Sequence, residues 1–148
     1  MDNQKFTYKY YNGQQIIENE PELLSQLKDV FISRGSPRHD VLKYLDEDAT
    51  VCCMFDGDKC IGLAWLAFYG KKHIAEICWL ATNISVKGLD GKYLLDEVLN
   101  YCKNKGVKSV KFNCDDDSWG RIKNKEQLFE KFGYKLSEEE LYDMSIEI

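Results

Sequence analysis

The chain has 148 residues, 44% hydrophobic, 13% aromatic and 30% charged, with a net charge of −5. That size and apolar content suit one compact domain over residues 1–148 and exclude disorder. The acidic balance argues against nucleic acid, whose phosphates need a basic face, and the apolar run Ile61–Tyr69 is too short to span a bilayer.

In chain order, the N-terminal MDNQKFTYKYYNGQ carries no apolar segment or small-residue cleavage site, so the cytoplasm is the expected location. Phe6–Tyr11 alternates as a first strand, ended by Asn12-Gly13. Asn19-Glu20-Pro21 opens a helix with proline at an early position. Leu23, Leu24, Leu27, Val30 and Phe31 share one face of it, and Gly35 stops it. Ser36-Pro37 begins a second, short helix carrying Val41, Leu42 and Leu45.

Three strands follow with no helix between them. Thr50–Phe55 turns through AspGlyAspLys into Cys60–Tyr69, and GlyLysLys at 70–72 leads into His73–Ala81. AspGly between two apolar runs signals a hairpin, so an antiparallel meander is expected. Its middle run, IGLAWLAFY, is apolar throughout, as a strand covered on both faces would be. The next helix has the stripe Leu94, Leu95, Val98, Leu99 and Cys102; Gly106 caps it, with Val107 placed for the accompanying apolar contact. Val107–Cys114 is a strand with Val110 and Phe112 on one face and Lys111 and Asn113 on the other. Strand, helix and strand in that order imply a parallel crossover between the fourth and fifth strands. A short helix near Lys125–Phe132 ends at Gly133, and Tyr142–Ile148 is the last strand. The order is β-α-α-β-β-β-α-β-α-β, an α/β fold on a mixed sheet.

Five of the six cysteines (Cys52, Cys53, Cys60, Cys78, Cys102) sit in apolar or strand-like runs, and no CxxC pair occurs. Structural zinc uses closely spaced thiolate pairs, and only Cys53 and Cys60 approach each other, across the hairpin. Buried free thiols and no metal are therefore expected. A redox or metal role for Cys52, Cys53 and Cys60 would rest on cysteine number alone.

The stretch SVKGLDGKYLL at 85–95 lies where a strand ends and a helix begins, the place where α/β sheets tend to bind ligands. A helix N-terminus presents unpaired N–H groups and partial positive charge. Its glycines permit close approach, and Lys87 and Lys92 add charge. An ordinary connection capped by Asp90 fits the same residues, so the loop alone leaves both readings open. Glu76 lies in the apolar run HIAEICWLA. A carboxyl partly desolvated there would have its pKa raised towards neutrality, which suits a general base. A carboxylate on a solvated edge, or one paired with a lysine, is the other reading. An acidic surface favours cationic ligands such as amines.

Element order, loop and Glu76 together resemble the GNAT superfamily of acetyl-CoA-dependent N-acetyltransferases, over nearly the whole chain. AlaGluIleCysTrpLeuAla at 75–81 is similar to the fourth strand of its histone acetyltransferase branch. LeuPheGluLysPheGlyTyr at 128–134 is similar to the family's fourth-helix ending. The resemblance implies acetyl transfer to a primary amine of a small molecule or protein, with Glu76 as general base and the Leu80 backbone N–H as oxyanion donor. It also implies that Leu80, Ala81 and Thr82 meet the pantetheine of acetyl-CoA, and that Lys87, Gly88, Leu89, Asp90, Gly91 and Lys92 hold its pyrophosphate. Asn113 and Phe129 would line the pantetheine's other side.

The family's loop pattern, Gln/Arg-x-x-Gly-x-Gly/Ala, is met only at Gly91; Val86 and Leu89 replace the polar residue and the first glycine. Phe129 stands where many members carry a tyrosine. These departures motivate a second reading, a non-catalytic acyl-CoA-binding or regulatory module of the same fold. Asp115-Asp116-Asp117, Trp79 and Trp119 are candidates for contacts to the acceptor, with a solvated turn and core packing as their other readings.

Overall fold

A computed structural model describes residues 6–33, 45–71, 73–83, 85–86, 91–112, 135–139 and 142–147 of the chain. The first strand, β1 (Thr7–Asn12), ends in a helix cap. Asn12 Oδ1 accepts a 2.7 Å hydrogen bond from the Gln15 N–H and opens α1 (Gly13–Asn19). An end to the strand was expected here; the helix was not. Only Gly13 and Ile16 of α1 are buried, too few positions to leave a periodic signal. Segment 45–49 folds over the start of α1, where the Gly13 N–H donates to the Ala49 carbonyl at 2.9 Å. A Cβ at Gly13 would collide with the carbonyl oxygen of Asp46. Glycine is required there by packing.

Pro21 begins α2 (Pro21–Ser33), which buries Leu23, Leu27, Val30 and Phe31 as its stripe foretold. The expected short second helix falls almost wholly outside the described residues, though Leu45 at its end is buried. The meander follows as β2 (Thr50–Asp56), β3 (Lys59–Tyr69) and β4 (Ile74–Thr82), antiparallel throughout. Helix α3 (Lys92–Asn104) then crosses to β5 (Ser109–Phe112), which pairs parallel to β4. The expected helix near 125–132 lies outside the described residues. Beyond it the chain forms β6 (Lys135–Glu139) and β7 (Tyr142–Glu147). The sheet order is β1-β2-β3-β4-β5-β7-β6. Strand β6 was not expected. Its sequence KLSEE has one apolar residue and therefore no alternation, and as an edge strand it needs none.

Two apolar layers sandwich the sheet. On one face α3 packs Leu94, Leu95, Val98, Leu99 and Cys102 against Met54, Leu66 and Ile77. On the other, α1 and α2 pack Ile16, Leu27 and Phe31 against Val51, Leu63 and Trp65. The C-terminus of α3 closes as the sequence implied. Gly106 adopts φ +86°, its N–H donates to the Lys103 carbonyl, and the Val107 N–H donates to the Cys102 carbonyl. This is the Schellman arrangement, with Val107 buried beside Cys102. Burial pushes the thiols of Cys52 and Cys102 up to about 12 and about 11, so they pack as small apolar groups. Among the described residues no helix is long and apolar enough to cross a membrane.

Two glycine replacements separate collision from strain. Gly106→Ala meets open space at positive φ and should cost about 1–2 kcal/mol from the left-handed backbone alone. Gly13→Ala must push back the Asp46 backbone and should cost about 2–3 kcal/mol. Urea midpoints of the two variants check the order.

Candidate functional site

The β4–β5 pairing runs only from Ile74↔Ser109 through Ala75↔Val110 to Glu76↔Lys111 among the described residues. Just past its end, β4 contains one residue more than β3. Trp65 faces Trp79 and Leu66 faces Ile77, so Cys78 has no opposite number. Such a bulge bends its strand and sharpens the local twist. It also puts two consecutive side chains on one face. Cys78 and Trp79 both pack on the α2 side, whereas Leu80 packs on the α3 side.

Beyond the bulge the backbone sorts by alternation. The Asn83 N–H donates to the Ile61 carbonyl at 2.8 Å, making Asn83 and Ile61 a hydrogen-bonded pair. Ala81 with Leu63 and Trp79 with Trp65 continue that series. The peptide groups of Leu80 and Thr82 therefore face away from β3, towards the side of the sheet that carries β5. Of the three strand residues assigned to cofactor contact, Ala81 turns its backbone into the sheet and buries its side chain.

Helix α3 begins beside this edge. Gly91 occupies its N-cap position without a side-chain cap bond, and a Cβ on Gly91 would lie 3.9 Å from Leu80 Cδ2. The start of α3 is thus packed close to the Leu80 side chain. Half-buried Lys92 opens the helix, its Nζ 5.2 Å from the Tyr93 ring centroid. Lys87, Gly88, Leu89 and Asp90 lie outside the described residues, as do Asn113, the three aspartates at 115–117, Trp119 and Phe129.

Glu76 projects on the α2 side, half-buried, and its Oε2 accepts a 3.1 Å hydrogen bond from the Tyr69 hydroxyl. Its carboxylate and that of Asp46 both act on Cys78: burial first, then Glu76, then Asp46, push that thiol up to about 12. Trp79 is wedged edge-on against Phe31, ring centroids 5.6 Å apart and planes at 86°, a packing role. Tyr69 and Asp46 escaped the sequence reading because they are far from Glu76 in the chain or reach its surroundings only through strand register.

Asn83 was also missed. It is 6% exposed, its Oδ1 accepts the Ser85 N–H at 2.9 Å, and its carbonyl accepts the Val86 N–H at 3.2 Å. The signal was there: asparagine two residues before serine at a strand end reads as an Asx turn. It turns the chain from β4 into the loop that leads to α3.

Residues 17–134 match the model of the acetyltransferase (GNAT) family. This chain belongs to the GNAT family. Solved structures agree in fold. A GNAT-family acetyltransferase from Desulfovibrio desulfuricans shares 15% identity over 95% of both chains, with a TM-score of 0.67. The PaiA N-acetyltransferase of Thermoplasma acidophilum, in complex with coenzyme A, shares 16% identity over 96% of this chain and 97% of its own, with a TM-score of 0.58. A GNAT acetyltransferase from Elizabethkingia anophelis with acetyl-CoA bound shares 17% identity over 90% of this chain and 78% of its own, with a TM-score of 0.61. None of the curated proteins matches this chain in sequence. Family membership makes acyl transfer the general chemistry of this chain.

Asn83→Ala removes the acceptor for the Ser85 N–H at a buried position and should cost about 1–2 kcal/mol. Urea denaturation measures it. A loss within error of zero would mean that the turn into the loop does not depend on this side chain.

Proposed function

We propose that the chain is a cytoplasmic enzyme that transfers an acetyl group from acetyl-CoA to a primary amine by direct attack. The observation that carries this is the pair of peptides at Leu80 and Thr82 that face away from β3, with Gly91 at the start of α3 close to the Leu80 side chain. A pantetheine carries amides that can pair with such an edge as an added strand does. A pyrophosphate suits the N–H groups of a helix start. The residues present therefore fit the cosubstrate. Thr82 would meet the pantetheine, and the loop from Lys87 through Gly88, Leu89, Asp90 and Gly91 to Lys92 would hold the pyrophosphate. Asn113 and Phe129 would line the far side.

Acetyl-CoA supplies an activated acyl group. Glu76, acting through a water, takes a proton from the acceptor's ammonium and leaves a neutral nucleophile. The Leu80 N–H donates to the thioester oxygen as negative charge develops there; a preorganised donor at that point lowers the barrier without reorganising. Phe129 has no proton to give, and none is needed for a thiolate to depart.

Two measurements test the reading. Acetyl-CoA at ~100 times its dissociation constant should stabilise the fold by roughly 2.7 kcal/mol, seen as a raised melting temperature. A melt unmoved by millimolar acetyl-CoA would remove the acyl-CoA site. Turnover with a panel of spermidine, kanamycin and a lysine-bearing peptide then tests catalysis. Glu76→Gln keeps shape while removing the base, so kcat should fall ~10² to 10⁴-fold with acetyl-CoA affinity unchanged. Part of the rate should return at high pH, where the amine is already neutral. Binding without turnover of any amine would favour the non-catalytic module instead.

A further inference from the structure

We propose that Tyr69 is a positioning residue for Glu76, holding one carboxylate oxygen so that the other is presented to the acceptor; this rests on Glu76 being the base. The argument begins with register. Ala67 lies directly opposite Glu76 and Tyr69 opposite Ile74, so Ala67, Tyr69 and Glu76 share the α2 face of the sheet. Tyr69 and Glu76 are diagonal neighbours, a spacing of about 7–8 Å that only long or aromatic side chains bridge. Of the other two side chains at that corner of the face, Ala67 beside Tyr69 is a methyl and leaves room around Glu76, and the Tyr69 hydroxyl donates to Glu76 Oε2 at 3.1 Å. Lys111, opposite Glu76 in the β4–β5 pairing, shares that face.

Core packing does not account for this tyrosine, which is 49% exposed and stands among the few exposed large apolar side chains of the described chain. Its backbone is held by the turn that follows. Gly70 and Lys71 both adopt positive φ, 59° and 60°, and the His73 N–H closes back on the Gly70 carbonyl at 3.2 Å. A glutamate side chain otherwise rotates freely about several bonds. Fixing Oε2 selects among those rotamers before the acceptor arrives, which is the entropic component of proximity catalysis. A phenol does this without a charge. A lysine in its place would form an ion pair with the carboxylate and favour its charged form against protonation.

The test is a double-mutant cycle on turnover of acetyl-CoA with whichever amine of the panel reacts fastest. Tyr69→Phe removes only the hydroxyl, at an exposed site where folding is not at risk. Its kcat should fall about three- to tenfold, with the KM for acetyl-CoA and the melting temperature unchanged. In the Glu76→Gln background the same replacement should cost nothing further, because the oxygen it positions no longer acts as a base. Wild-type kcat in Tyr69→Phe overturns the proposal, as do losses that multiply in the double variant. Full turnover in Glu76→Gln overturns the base and the positioning role together, and so does an absence of turnover with every amine. The first two outcomes leave Glu76 standing, which tells the two failures apart.

Discussion

An antiparallel ladder accepts an inserted residue only by leaving it unpaired, and in β4 that residue is Cys78. The insertion shifts the phase of everything after it. Before it, the even-numbered Glu76 looks to the α2 face; after it, the odd-numbered Ala81 does. Because of this shift the peptide of Leu80, rather than that of Trp79, faces away from β3, next to the start of α3.

The sheet then divides the work between its faces. The α3 side has the helix start and Gly62, where an added Cβ would lie 3.4 Å from both Leu94 Cδ2 and Thr82 Cγ2. That close approach keeps α3 against the strand edge where a cosubstrate would lie. Farther along, Tyr10 stacks on Tyr101 at 3.9 Å and donates to Glu97 at 2.7 Å, fastening the outer side of α3 to β1. Burial, reinforced by the neighbouring Cys52 thiol and the bond to Glu97, holds the Tyr10 hydroxyl protonated well above its usual range. The α2 side instead gathers the carboxylates of Glu76 and Asp46 around Cys78.

Periodicity reported whatever buries a stripe. The faces of α2 and α3, the hairpin at AspGly and the cap at Gly106 were all legible, since each depends on residues within one turn or one hairpin. Helix α1 and strand β6 were not, because each carries too few apolar residues to impose a period. The bulge left no trace either. HIAEICWLA is apolar on both faces, and an inserted residue can be detected only where alternation exists to be broken. The reach of Tyr69 to Glu76 likewise depends on which β3 residue stands opposite which in β4.

The amino-acid order by itself determined the elements that fold from local pattern, their α/β class, and a family likeness in the strand around Glu76 and the glycine-bearing loop after it. Tertiary structure alone decided which of the strand's peptides face away from β3, that Tyr69 bonds to Glu76 while Asp46 lies near Cys78, and that Asn83 steers the chain out of β4. The physical reason is range. Caps, turns and apolar stripes are settled by neighbours a few residues apart, whereas register and bulge placement are settled between strands, where a shift of one residue reverses every face.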